Sequence, residues 1–171
     1  MMSSMKPFII VLEGADGTGK TTAVQAGQAY AHSQGMEVRS IHNGPDDADL
    51  PGSLYRHYRA QLLDAIDFRD QGISTFIDRS FLSEAIYGGV YRGNSRISSF
   101  GLIRLENLAR HHGIELMAFE APDGLRKTRI EERGEVWDEY KDPTIGELYT
   151  EYFRLHTSWI TADRLSTTLN N

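Results

Sequence analysis

Residues 8–22 read FIIVLEGADGTGKTT, an apolar run followed by a glycine-punctuated turn and the start of a helical pattern. The spacing G-x-x-x-x-G-K-[ST] of a phosphate-binding loop is satisfied here by Gly14, Gly19, Lys20 and Thr21. Glycines let main-chain N–H groups approach phosphate oxygens closely, and the helix that follows offers free donors and the positive end of its dipole. The stretch therefore predicts a nucleoside triphosphate site rather than a glycine turn without nucleotide.

Each position in this loop has an expected role. Lys20 is predicted to reach the β- and γ-phosphates, and the Thr21 hydroxyl to ligate Mg²⁺ held with ATP. The residues expected to contact ATP are the nine that form the turn and open the helix: Gly14, Ala15, Asp16, Gly17, Thr18, Gly19, Lys20, Thr21 and Thr22.

Composition restricts the class of protein. The chain has 171 residues, 40% of them hydrophobic, which is enough for one domain with its own core. A net charge of −6 argues against nonspecific nucleic-acid binding, so a nucleic-acid partner is not expected. There is no cysteine, and the apolar run at 8–12 is too short for a signal-peptide core or a membrane span. We expect a soluble cytoplasmic protein with no membrane partner.

Hydrophobic periodicity predicts strands that alternate with helices. Strands are expected at 8–12, 36–41, 73–77 and 114–119, and helices at 21–33, 53–69, 81–87, 97–112, 123–132 and 143–156. Gly88, Gly89 and Gly93 are expected to end the third helix, residues 42–52 to form a loop, and residues 157–171 to be either strand or helix. The pattern predicts an α/β phosphate-loop NTPase fold over residues 1–171. Its three layers would enclose a parallel sheet of about five strands, with a small lid at about 133–143.

The candidate chemistry follows three of the predicted strands, at 13–21, 42–49 and 78–83. In parallel α/β sheets ligands bind beyond the carboxyl ends of the strands. We therefore expect one site built from three strand ends.

Asp78 and Arg79 directly follow the third predicted strand. Asp78 occupies the position of a Walker B carboxylate, which would hold Mg²⁺ together with Thr21. The planar guanidinium of Arg79 has the geometry to span two phosphate groups. The alternative is an Asp-Arg pair that ties the strand end to a helix.

These motifs together resemble those of the thymidylate kinases, which are phosphate-loop kinases of the nucleoside-monophosphate kinase superfamily. The similar segments are the loop at 13–22, the residues Asp78-Arg79, Leu82-Ser83, Tyr87, Gly89 and Arg92-Gly93, and the basic helix at 124–135. The resemblance implies transfer of the ATP γ-phosphoryl group to a deoxynucleoside monophosphate, which gives a diphosphate and ADP. The chain is short for this family, as compact viral or phage members can be, and such proteins are commonly homodimers.

The resemblance also implies roles for individual residues. Asp16 would accept a hydrogen bond from the sugar 3′-hydroxyl, and Arg79 would draw the acceptor and donor phosphates together. The loop holds no arginine, so the cation for the transferring group is expected from Arg133 or Arg129, which are four apart on one helix. The alternative for this arginine run, which also includes Arg126, is a solvated helix face.

The acceptor pocket departs most from the family. His42-Asn43-Gly44-Pro45 replaces the family's Arg-Glu-Pro-Gly, and Gly88 stands where a glutamine is expected. Thymidylate is the best single guess for the acceptor, although other pyrimidines or purines stay open. The predicted substrate-binding residues are Asp16, Arg56, Phe68, Arg79, Ser83, Tyr87 and Arg92.

Three other functions stay open. A deoxynucleoside kinase needs a carboxylate base after the second strand, for which Asp46, Asp47 and Asp49 are candidates. A kinase for a hydroxyl on DNA or a modified nucleotide is disfavoured by the acidic charge. A non-enzymatic NTP-dependent switch would leave the Asp78-Arg79 pair and the arginine helix unexplained.

Overall fold

The computed structural model describes residues 6–44 and 53–161. Within these ranges five strands and six helices alternate. The strands are β1 (Ile9–Glu13), β2 (Val38–His42), β3 (Ser74–Asp78), β4 (Glu115–Ala118) and β5 (Trp159–Ile160). The helices are α1 (Lys20–Ser33), α2 (Leu54–Asp70), α3 (Phe81–Arg92), α4 (Ser99–His111), α5 (Asp123–Glu132) and α6 (Lys141–Leu155).

The five strands form one parallel sheet in the order β2-β3-β1-β4-β5. The central strand β1 is apolar from residue 9 to residue 12, as expected for a strand whose two faces are both covered by helices. Its register pairs Leu12 with Asp78 on β3. The carboxyl ends of β1 and β3 therefore lie side by side, which confirms the predicted α/β phosphate-loop fold.

Two apolar clusters pack against the two faces of the sheet. On one face Val24 of α1 packs against Leu12 and Phe76. Gly27 of α1 faces Phe76 so closely that a Cβ there would lie 2.6 Å from the ring, so this helix needs a glycine to approach the sheet. On the other face a larger cluster joins α2, α3, α4 and α6 to the sheet; its fully buried side chains include Leu62, Phe81, Leu105, Tyr149 and Trp159.

Several predicted boundaries differ from the observed ones: the strand predicted at 36–41 is β2 (Val38–His42), and the helix predicted at 97–112 is α4 (Ser99–His111). The third helix does not end at Tyr87 but continues to Arg92, because Gly88 and Gly89 lie inside it and Gly93 (φ 76°) closes it. The last helix starts at Lys141, two residues before Pro143, so the proline falls in its first turn, where its missing N–H costs no hydrogen bond.

The ambiguous tail is resolved only in part. Trp159 and Ile160 form β5, which pairs with β4. The Trp159 ring is buried, and its indole N–H donates to Glu106 of α4 at 2.7 Å. Residues 162–171 lie outside the described residues, as do residues 45–52 with Asp46, Asp47 and Asp49. No helix among the described residues is long and apolar enough to cross a membrane.

Candidate functional site

A cavity of about 1540 Å³ opens beyond the carboxyl ends of β1, β2 and β3. The chain leaves β1 towards β2 on one side and leaves β3 towards β4 on the other, so a crevice opens between the two strands. The phosphate loop, α1 and α5 line one side of the cavity, and the end of β2 together with α2 and α3 lines the other. The described parts of the three segments that the sequence placed at strand ends, residues 13–21, 42–44 and 78–83, therefore meet.

The Lys20 ammonium group lies inside the phosphate loop. It donates hydrogen bonds to the carbonyl oxygens of Gly14 and Ala15, both at 2.8 Å, and only 5% of the residue is exposed. Burial, together with the charge of the nearby Arg79 guanidinium, lowers the pKa of Lys20 to about 8. The loop thus holds a cation that is costly to bury, and a triphosphate would stabilise its charge.

A carboxylate and a hydroxyl meet at the start of α1. The Thr21 hydroxyl donates to Asp78 Oδ2 at 2.7 Å, and Nδ1 of His42 lies 3.1 Å from the same oxygen. The second oxygen, Asp78 Oδ1, is buried and has no hydrogen-bond partner among the described residues. Hydroxyl and carboxylate oxygens are the ligands that Mg²⁺ prefers, and the spare oxygen gives Asp78 capacity for one. The two predicted metal ligands are therefore together and fit a magnesium ion.

Asp16 joins the phosphate loop to the third strand. Its carboxylate pairs with the Arg79 guanidinium through Oδ1 and accepts the Tyr87 hydroxyl through Oδ2 (2.8 Å). Burial by itself would raise the pKa of the Asp16 carboxyl, but the charges of Arg79 and Lys20 outweigh burial and hold that pKa below its ordinary value. Asp16 is therefore an anion between two cations of the cavity wall.

Arg79 has a left-handed main chain, with φ of 67°, which is uncommon for a residue other than glycine. Its carbonyl accepts from the Asn43 side chain at 2.6 Å, and its N–H donates to Leu12 O at 3.0 Å. The side-chain amides of Asn43 and Gln61 donate a hydrogen bond to each other, each 3.0 Å long, which fixes Asn43 in turn. Sequence reasoning missed Asn43 and Gln61 as supports of Arg79, although the strand-end Asn43-Gly44 pair marks a turn.

A buried carboxylate anchors α3 beneath the cavity. Glu13 is fully buried and accepts hydrogen bonds from the main-chain N–H groups of Ser80 (2.7 Å) and Ser83 (3.1 Å). The Ser83 hydroxyl, predicted to bind substrate, donates to Glu13 Oε2 (2.6 Å) and also contacts the Tyr149 hydroxyl. Ser83 lines the cavity, but its hydroxyl is engaged in holding the helix.

The arginines of α5 differ from one another in environment. Arg126 is 1% exposed, not solvated, and it donates to the main-chain carbonyls of Asp16 (2.9 Å) and Asp142 (3.0 Å). Arg129 donates to Gly17 O at 2.9 Å and lines the cavity. Arg133 also lines the cavity, half exposed and paired with Glu135. The two predicted lid arginines therefore reach the site, whereas Arg126 braces the loop from behind.

The structure brings some predicted substrate-binding residues together but not all. Tyr87 and Arg92 line the cavity with Asp16, Arg79 and Ser83. Neither Arg56 nor Phe68 is among the described residues that line it. Phe68 lies at the last turn of α2, where its carbonyl accepts from the start of the β3 segment and its ring lies under Arg39, 4.0 Å away. Helix α2 runs back along the sheet, so its end lies at the amino edge of the strands.

A further acidic residue, missed from the sequence, lines the cavity on α3. Glu84 is 8% exposed and accepts through Oε1 from the side chains of Arg92 (2.5 Å) and Arg96 (3.4 Å) and from the Arg96 main-chain N–H (3.0 Å). Burial would raise the pKa of Glu84, but these hydrogen bonds outweigh it and lower that pKa. Glu84 is therefore ionised at neutral pH.

The sheet order, the phosphate loop on the central strand and the Asp-Arg pair on its neighbour define the fold of the phosphate-loop kinases. Solved structures share this fold. The YorR protein from Bacillus subtilis, in complex with phosphorylated GDP, matches with a TM-score of 0.65 at 21% identity, over 90% of this chain and 84% of that chain. A deoxyadenosine kinase from M. mycoides, with the products dCMP and a flexible dCDP bound, matches with a TM-score of 0.50 at 16% identity. The match covers 92% of this chain and 90% of that chain.

A third structure, the protein APE1195, has a TM-score of 0.50 at 16% identity, over 86% of this chain and 96% of that one. No family model matches the chain, and no curated protein sequence matches it. At these identities the likeness shows the fold, and function has to be argued from the site.

Proposed function

We propose that this protein transfers the γ-phosphoryl group of ATP to a deoxynucleoside monophosphate, with a diphosphate and ADP as products. The observation that carries the proposal is that Lys20 and Arg79 flank one carboxylate, Asp16, in a single cavity. The cavity exceeds the roughly 300–1,000 Å³ of a typical single-ligand pocket, so it has room for a donor and an acceptor.

The reaction needs little covalent chemistry from the protein. The acceptor phosphate is already anionic at neutral pH, so catalysis consists of positioning and of offsetting charge on the transferring group. Lys20 and the loop N–H groups would bind the donor phosphates, and Arg79 would bind the acceptor phosphate beside them. Arg129 of α5 and Arg133, which directly follows α5, would approach the transferring group, since both already line the cavity.

Magnesium is expected to enter with ATP. Thr21 and Asp78 are the residues that would hold it, because their oxygens are adjacent and Asp78 Oδ1 has no partner among the described residues. When bound, the ion would offset phosphate charge.

A deoxynucleoside kinase is the second candidate, and the likeness to a deoxyadenosine kinase supports it equally. That reaction requires a base for the sugar hydroxyl. The sequence candidates Asp46, Asp47 and Asp49 lie outside the described residues. Thymidylate as acceptor, a homodimer and a cytoplasmic location are predictions from sequence and resemblance.

The decisive assay measures ADP release from Mg-ATP with each deoxynucleoside monophosphate and each deoxynucleoside in turn. Product analysis by ³¹P NMR then identifies the new phosphate bond. We expect at least one monophosphate to become a diphosphate. Turnover of nucleosides but not monophosphates would replace the proposal with the second candidate, and transfer to neither would refute both.

A further inference from the structure

Beyond Arg79, the cavity is lined by side chains of α2 and α3. Leu54 and Tyr58 of α2 line one wall, and Glu84 and Tyr87 of α3 line the other. Since the proposed function places the donor phosphates at the phosphate loop, the part of the cavity between α2 and α3 would bind the acceptor. Glu84 is a buried carboxylate in that wall, and burying a charge costs free energy unless a partner stabilises it.

Among the residues that the structure describes, only one of the two oxygens of Glu84 accepts hydrogen bonds. Every hydrogen bond that the described residues make with Glu84 ends on Oε1. Its other oxygen, Oε2, has no hydrogen-bond partner among the described residues and keeps some exposed surface. Since Glu84 lines the cavity, we take Oε2 as the oxygen that is free to meet a ligand there.

The arrangement depends on the glycine at position 88. Arg92 lies eight residues after Glu84 and reaches it by folding across Gly88, where a Cβ would lie 2.5 Å from Arg92 Nη2 and 3.0 Å from Glu84 Oε1. The two arginines fix Oε1 and keep the carboxylate ionised, which leaves Oε2 as an oriented, exclusive hydrogen-bond acceptor.

We infer that Glu84 reads the acceptor base and favours bases with an exocyclic amino group, namely adenine, cytosine or guanine, over thymine. The inference rests on the proposed function. An amino group can donate to Oε2, whereas thymine offers only its N3–H, which lies between two carbonyl oxygens that a carboxylate repels. A buried acceptor left without a donor costs binding free energy. This selection runs against the thymidylate prediction from the sequence resemblance.

The size of the expected preference follows from known base discrimination. A well-placed polar contact to a base edge discriminates by a factor on the order of 10 to 100. We therefore expect kcat/KM of the preferred acceptor to exceed that of dTMP by at least about tenfold.

The first test uses the wild-type protein and pairs of acceptors in which an exocyclic amino group is replaced by a carbonyl oxygen or by hydrogen. The pairs are 5-methyl-dCMP against dTMP, and dAMP or dGMP against dIMP, with Mg-ATP as donor; the corresponding nucleosides serve if the acceptor is a nucleoside. We expect the amino-bearing member of the best pair to have the higher kcat/KM. A preference for dTMP overturns the inference but leaves the proposed function standing, whereas transfer to no acceptor refutes the proposed function itself.

The second test uses Glu84→Gln, whose amide can donate to a thymine carbonyl. We expect the ratio of kcat/KM for the amino-bearing acceptor to that for dTMP to fall at least about tenfold. The matched control is the same substitution at an exposed glutamate of α6, Glu151→Gln, a residue that does not line the cavity. That change should leave the ratio between acceptors as it is in the wild type. Equal ratios in wild type and Glu84→Gln would show that Glu84 only braces the arginines, and would overturn the inference.

Discussion

At the scale of single residues, Arg79 shows how the site is held. A non-glycine residue in the left-handed region costs about 1–3 kcal/mol and persists only when its surroundings enforce it. Asn43, Leu12 and Asp16 enforce it here, through the Arg79 carbonyl, N–H and guanidinium respectively. The strain therefore aims the guanidinium at the cavity rather than along the strand.

Removing either cation should abolish most of the activity. We predict that Lys20→Ala and Arg79→Ala each lower phosphoryl transfer by a factor of about 10² or more, because each offsets phosphate charge in a water-poor site. Steady-state kinetics checks this, with Arg110→Ala, an exposed cation on α4, as the control. Normal turnover in Arg79→Ala would contradict the kinase assignment.

The buried ammonium of Lys20 predicts a dependence of nucleotide binding on pH. Burial lowers its pKa to about 8, so the free protein loses this charge as the pH rises above 8. Metal-free ATP should therefore bind progressively more weakly between pH 7.5 and 9.5, by up to about tenfold per pH unit above the pKa. Calorimetry across this range measures it, and Lys20→Ala should lack the dependence. Unchanged wild-type affinity would be inconsistent with the lowered pKa.

At the scale of elements, α5 and the phosphate loop act as one packed unit. Arg126 and Arg129, one turn apart, donate to the consecutive loop carbonyls of Asp16 and Gly17. Gly17 has φ of 77°, and a Cβ there would lie 2.8 Å from the Arg126 carbonyl oxygen. The loop is thus shaped from behind by the helix that carries the candidate lid arginines.

This packing predicts different costs for two glycine substitutions. Gly35 has a similar φ of 73° but no neighbour within 4 Å, so Gly35→Ala should lower the free energy of unfolding by about 1 kcal/mol from backbone strain. Gly17→Ala adds a collision with main chain and should cost at least about 2 kcal/mol more, together with a loss of ATP affinity. Urea unfolding of both variants measures the difference. Equal losses would show that α5 does not shape the loop.

The elements that the sequence predicted well are those with a strong local pattern. The apolar run of β1 and the glycine spacing of the loop are local, and both lie where they were expected. The predicted end of α3 was wrong because Gly88 was expected to end the helix. In the structure Gly88 lies inside α3, where Arg92 and Glu84 pack against it. Tertiary contacts there outweigh the low intrinsic helix propensity of glycine.

At the scale of the whole molecule, the convergence of three strand ends followed from the parallel α/β pattern. The hydrogen bonds that support the site could not be predicted from that pattern, because they join residues far apart in sequence. Tyr149 reaches Glu13, and Arg126 reaches Asp16, across more than 100 residues. Such contacts leave no periodic signal in the sequence. Arg126, for which a solvated helix face was one alternative, is therefore buried without any local sign of it. Phe68, a predicted substrate-binding residue, lies at the opposite edge of the sheet.

The central claim is that one cavity holds the phosphates of donor and acceptor end to end, between Lys20 and Arg79. Its most direct test is calorimetric binding of adenosine joined to the best deoxynucleoside acceptor by a chain of five phosphates, compared with four. We expect one molecule to bind per chain, at least about 100-fold more tightly than ATP or the monophosphate alone, with five phosphates preferred. Binding no tighter than that of ATP alone, or unaffected by Arg79→Ala, would contradict it.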